Sequence, residues 1–205
     1  MNRKSSLIAY LLELVIVFIG VFAAFLLNDF QNQQAEDQRK KEIYLALFED
    51  LNRFYEAGQE VNKEGFVIML KIQRLQLDSM VLSRNIPPVM HFYADYWNIE
   101  IIHSLISSGA INDLDIRVVK VISRFHSTHQ NFKANIQYFN DFYQNEVTAR
   151  YSEDMNAFYQ PGSNQLKPKY QTLMSYLDIL IRNAKTLVDL AAKYKEDIRQ
   201  YCPPE

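Results

Sequence analysis

Near the start of the chain the polar positions all but vanish. Residues 7–27, LIAYLLELVIVFIGVFAAFLL, are apolar or small at every position except Glu13. At a helical rise of about 1.5 Å per residue this run reaches roughly 31 Å, the hydrocarbon thickness of a bilayer. The pattern predicts a transmembrane helix preceded by a short basic tail over residues 1–6. A secretory leader has a shorter apolar core, about 7–15 residues, closed by small residues at a cleavage site. This run closes on Leu26, Leu27, Asn28 and Asp29 instead. The core helix of a soluble protein carries a polar stripe, and a single carboxylate does not make one.

Beyond the span the pattern becomes periodic. A polar stretch from Gln31 to Lys41 leads into Ile43, Tyr44, Leu47, Phe48, Leu51, Phe54 and Tyr55, the three-and-four spacing of one helix face. Residues 28–60 therefore read as a juxtamembrane segment and first soluble helix continuing from the span and ending near Gly58, with 61–205 as the remainder of a bundle. A second helix is expected from about Asn62 to Leu82. It is apolar on several sides around Phe66 to Leu70, hence central, and is stopped by Asn85, Ile86, Pro87 and Pro88. Asp95 is the expected N-cap of a short helix through Ser108, closed by Gly109, with Asn112, Asp113 and Asp115 as caps for the next.

Two long seams follow. The first is Val118, Ile122, Phe125, His129, Phe132, Ile136, Phe139, Tyr143, Val147. The second is Leu166, Tyr170, Leu173, Leu177, Leu180, Ala184, Leu187, Ala191, Tyr194, Ile198, Tyr201. Between them, residues 152–168 hold the breakers Pro161, Gly162 and Pro168 and read as a loop with at most one helical turn before it. Matching seams joined by one loop fold back on each other. No segment sustains a period of two. The expected fold is all-α: an N-terminal transmembrane helix, then an up-down helical bundle with a long antiparallel C-terminal hairpin.

Composition narrows the function. The chain has 22 Lys plus Arg against 24 Asp plus Glu, so it lacks the basic excess that nucleic acid demands. Cys202 is the single cysteine, which rules out an internal disulfide. Thirteen Tyr and thirteen Phe against five Gly and six Pro suit helices packed through aromatic rings. The positive flanks, Arg3 and Lys4 before the span and Arg39 to Lys41 after it, are nearly balanced. A cytoplasmic N-terminus is favoured because the leading charges adjoin the apolar run, which makes the C-terminal domain periplasmic in a bacterium.

The combination LLELVIVFIGVFAAFLLNDFQNQQ, KKEIYLALFEDL and WNIEIIHSLISSGAINDLDIRVVKVISRFHSTHQ resembles a family of small bacterial single-span membrane proteins, defined as a domain of unknown function. The resemblance covers about two thirds of the chain and weakens after Tyr151. It implies a bacterial origin, one membrane anchor and a helical soluble domain, and carries no active site. Asn28, Asp29 and Phe30 stand where the family often has a Trp at the membrane boundary.

Candidate chemistry is sparse. Within the span, Ala9, Glu13, Gly20 and Ala24 share one helix side, and Gly20-x-x-x-Ala24 matches the small-xxx-small spacing of associating membrane helices. Glu13 is either simply protonated or drawn towards the headgroups, or a functional carboxylate such as the carrier of a proton or ion pathway. Glu100 and His103 form one Glu-x-x-His pair where a di-iron bundle needs two plus further carboxylates, so a core histidine beside Ile99 and Ile106 is the better reading. His126 and His129 stand three apart on a helix, with His129 in the seam as a buried polar residue setting register. Metal ligation by Glu100, His103, His126 and His129 is the alternative. Tyr93, Tyr96, Trp97, Tyr138, Phe139, Phe142 and Tyr143 form core or line a groove in a ligand-sensing domain.

No nucleophile elbow, phosphate loop or dinucleotide fingerprint is present, so no cofactor, metal or small-molecule substrate is expected. The expected function is that of a non-enzymatic, membrane-anchored interaction or structural module. Its partners are the lipid bilayer and either a second copy or another membrane protein. The alternative is a subunit of an ion-conducting or membrane-disrupting assembly using Glu13.

Overall fold

The computed structural model describes the backbone of residues 3–59, 65–93, 97–151 and 154–203, and side chains from Leu14 onward. Five α-helices account for most of it: α1 (Arg3–Gly58), α2 (Phe66–Leu82), α3 (Glu100–Ser108), α4 (Ile116–Glu146) and α5 (Pro168–Arg199). Among the described residues there is no strand, only an isolated antiparallel bridge between Tyr159 and Leu166, and the fold is all-α. The chain divides into two units, Met1–Ile43 and Tyr44–Glu205, with the boundary inside α1.

In the first unit every described side chain of the apolar run is exposed. Phe18 and Phe22 stack one turn apart, with ring centroids 6.4 Å from each other. The polar part that follows is laced by i,i+4 pairs, Glu36 with Lys40 at 3.0 Å and Gln38 with Glu42 at 3.1 Å, which support a solvated helix with no tertiary cover. One helix is thus long and apolar enough to cross a membrane.

The second unit is built from four legs of alternating direction. The α4–α5 hairpin forms two of them. Phe142 meets Tyr176 at 5.9 Å, Phe125 meets Tyr194 at 6.5 Å and Arg117 lies over Tyr201 at 5.9 Å, a pairing that only antiparallel helices produce. Every residue of the seam from Val118 to Val147 is buried, as is every one from Leu166 to Ile198; Tyr201 is half-buried.

The first leg is the end of α1 followed by α2, laid one after the other along α5. Tyr44 stacks on Tyr201 at 5.0 Å and Lys195 Nζ donates to Asn52 Oδ1 at 2.8 Å. Further along, Arg74 pairs with Asp178 at 3.0 Å, and Asn164 Nδ2 donates to the Leu82 carbonyl at 3.1 Å. The break between the two helices depends on glycine. A Cβ on Gly58 would lie 2.6 Å from Phe66 Cζ and closer still to Val188 Cγ2, while Gly65 has φ 103°, a backbone region that other residues rarely enter.

Helix α2 begins at Phe66; Asn62 lies outside the described residues. Its C-terminus is fixed before Pro87 is reached. Arg84, with φ 54°, takes the left-handed position usually given to glycine, and its amide and that of Asn85 bond back to Val81 and Met80 at 3.0 and 2.9 Å. A non-glycine residue there costs roughly 1–2 kcal/mol. The Arg84 guanidinium offsets that cost by donating to the Ser163 carbonyl at 2.7 Å and Asn156 Oδ1 at 2.6 Å while lying over the Tyr159 ring at 4.8 Å.

The remaining leg is half extended chain and half helix. From Asn85 to Tyr93 the backbone runs back along α4 without regular secondary structure, and side chains of α4 and of the turn that follows it bond several of its polar groups. Tyr143 Oη donates to Pro87 O at 2.5 Å, Thr148 Oγ1 donates to Pro88 O at 2.8 Å, and the Asn140 amide both accepts from and donates to Phe92 at 2.9 and 2.8 Å. His129 Nε2 donates to the Trp97 carbonyl at 2.6 Å. A buried extended segment needs such partners because unpaired backbone groups are costly away from water.

The leg ends in α3, which starts at Glu100 and closes on Gly109 with φ 76°; Asp95 lies outside the described residues. Its N-terminus has no cap of its own. Asp50, on α1 and only 2% exposed, reaches across and accepts from Ile102 N at 3.1 Å. Asp115 caps α4 as expected, accepting from Arg117 N at 2.8 Å. Where the legs meet, Phe54 makes edge contacts with Phe66, Phe125 and His129 at 5.4, 5.4 and 5.8 Å, and Trp97 packs on Phe132 at 5.1 Å. The loop before α5 is more ordered than its breakers suggest: Met155–Ala157 form a 3-10 turn, Gln160 N donates to Gln165 O at 2.9 Å and Lys167 N to Phe158 O at 2.9 Å.

Candidate interaction surface

Among the described residues, exposed apolar side chains are concentrated in two places. In the first unit this is the whole described part of the span. Gly20 and Ala24 are exposed, and an added Cβ on Gly20 would meet nothing within 4 Å, so that stretch of helix is open to close approach by another helix. The side chains of Ala9 and Glu13 lie outside the described residues.

In the second unit, four of the exposed large apolar side chains lie on α2, with others at Leu45, Val89, Ile116 and Tyr138. Phe66, Val67, Leu70, Leu77 and Val81 are buried on one side, whereas Met69, Ile72, Leu75 and Leu82 are exposed on the other, Leu75 by 67%. The sequence-based expectation of a central α2 is corrected by this arrangement. The helix is apolar on several sides as read, but the legs it joins cover only one of them, and the rest faces outward. Exposed apolar side chains scattered singly are ordinary; a row of them along one helix is a candidate for a surface that is covered by a partner.

Beside it, the α2 side chains Met69, Gln73 and Met80 and the extended leg at Met90, Tyr93 and Trp97 enclose an open cleft of about 430 Å³. Of the aromatic residues singled out from the sequence, Tyr93 and Trp97 line this cleft. Phe139 and Tyr143 are core, Tyr138 is exposed, Phe142 lies against Tyr176 and Tyr96 is outside the described residues.

The histidines separate into two kinds. His129 is 1% exposed and, with Nε2 committed to Trp97, stays neutral; burial pushes its pKa down to about 4. Its Nδ1 has no partner among the described residues. The seam position was legible, but its task is to hold the Trp97 carbonyl of the leg before α3. His103 does not join the core, contrary to the reading from Ile99 and Ile106. It is exposed on α3, and its Nδ1 stands 3.3 Å from Nε2 of half-buried His126 on α4. Glu100 is exposed in the first turn of α3. The fold thus brings together His103 and His126, a pairing across helices that no sequence spacing announces. Among the described residues no three His, Cys, Asp or Glu side chains form a group able to hold a metal ion.

Sequence reasoning missed Asp50 and Asn140, both buried polar groups that act on another segment's backbone. The signal for Asp50 was a carboxylate inside an otherwise apolar helix face, between Leu47 and Leu51. Comparison with family models, with curated proteins and with solved structures finds no match.

Proposed function

We propose that this protein is a single-pass bacterial inner-membrane protein whose helical domain works by contact, binding another membrane protein or a second copy of itself, and performs no catalysis. The observation that carries the reading is the coexistence of an uncovered membrane-length apolar helix with an uncovered apolar row on α2. The resemblance noted in the sequence supports the bacterial setting. The positive flank before the span supports a cytoplasmic N-terminus and a periplasmic domain.

The test is purification of the full chain in mild detergent, followed by cross-linking and mass spectrometry. A discrete oligomer or a stoichiometric copurifying protein is expected, and it should be lost when Ile72→Glu and Leu75→Glu place charges on the exposed row. These positions face outward, so the helical content of the variant should be unchanged. A monodisperse single-chain particle with nothing attached would overturn the reading.

A further inference from the structure

We propose that His103 and His126 form a transition-metal site that clamps α3 to α4. Two nitrogens bound at about 2.0–2.1 Å to one tetrahedral ion stand roughly 3.3–3.4 Å apart. His103 Nδ1 and His126 Nε2 are separated by 3.3 Å. The rings lie at an interplanar angle of 29° with centroids 5.5 Å apart, so the two nitrogens approach each other without a clash between the rings.

A third donor is in place. Gln130, one turn beyond His126 on α4, has Nε2 3.2 Å from the same His126 Nε2. The oxygen and nitrogen of a glutamine amide exchange places by a half-turn of the terminal torsion, and that half-turn puts the carbonyl oxygen against the site. Without an ion the two neighbours share one nitrogen of His126. A neutral imidazole nitrogen offers either one proton or one lone pair, and His126 Nε2 is approached by both Gln130 and His103. An ion accepts all three donors at once.

Two imidazoles and an amide oxygen suit a borderline divalent ion, Zn²⁺, Co²⁺, Ni²⁺ or Cu²⁺, and do not suit Mg²⁺ or Ca²⁺, which take oxygen shells. Because the described residues supply only these donors and His103 is exposed, the remaining coordination positions are open to water or to a donor from a bound partner. The chain directions explain why the site needs the fold. The leg carrying α3 runs against α4, which places residue 103 opposite residue 126.

Isothermal titration of the full chain in detergent with ZnCl₂ tests this, with the variants His103→Ala, His126→Gln and, as a control, His91→Ala. Saturable binding of one ion per chain is expected, together with a rise in melting temperature. Both should be lost in His103→Ala and His126→Gln and kept in His91→Ala. His103 is exposed, so its variant should keep the circular dichroism of the parent and report on binding alone. Absence of saturable Zn²⁺ binding by the parent chain, or binding that survives loss of either histidine, overturns the proposal.

Discussion

At the scale of single residues, the buried polar groups carry the sharpest consequences. His129 is held neutral with a pKa near 4 against an ordinary 6.5. A histidine whose folded-state pKa is depressed contributes stability above the unfolded value, and that contribution is withdrawn as pH falls from 6.5 toward 4. The shift corresponds to on the order of 3 kcal/mol. Denaturant midpoints should therefore drop across that window, and the drop should be absent in His129→Gln, which keeps a donor for Trp97 without a titrating ring.

Asp50 behaves with the opposite sign. Burial raises its carboxyl pKa above the usual range, against the lowering effect of its bond to Ile102. Its titration thus adds stability at low pH and loses it as pH rises through the folded-state value. Asp50→Asn keeps an acceptor for α3, so wild type should gain on this variant as pH falls from neutral through the raised titration of Asp50. Asp50→Ala removes the cap and should cost about 1–2 kcal/mol at neutral pH.

At the scale of elements, two helix ends are set by contacts far away in sequence. Gly58 permits α1 to end against Phe66 and Val188, so Gly58→Ala should overpack that junction and lower stability by about 1–3 kcal/mol in thermal or denaturant unfolding. Arg84 closes α2 and holds the loop before α5 through Ser163, Asn156 and Tyr159. Arg84→Gly relieves the backbone and removes the anchor, whereas Arg84→Ala keeps the strain and also removes the anchor. Alanine should therefore be the more damaging of the two, by about 1 kcal/mol. The reverse order would show that the Arg84 backbone is not under strain.

At the scale of the whole molecule, Cys202 gives a direct test of topology, because it is the only thiol and is half-exposed. In intact bacterial cells with a permeabilised outer membrane, a membrane-impermeant maleimide should label it if the domain is periplasmic. Burial raises the thiol pKa, so labelling should quicken toward alkaline pH. Labelling only after the inner membrane is lysed would reverse the proposed orientation.

The all-α fold, the membrane-length helix and both long seams were legible in the sequence because they rest on local periodicity, and a heptad pattern reports burial wherever the partner comes from. Leu173 to Leu187 and Val118 to Phe139 lie in the core for that reason. What the pattern left open was which side of an all-round apolar helix finds cover, and α2 was misjudged on that point. Only the tertiary arrangement decided that its Ile72 and Leu75 stay outside, that Asp50 caps a helix fifty residues on, and that His103 comes to lie opposite His126. Each of these depends on the direction in which one leg passes another, and chain direction in a bundle is fixed by contacts between segments, which no window along a single segment records.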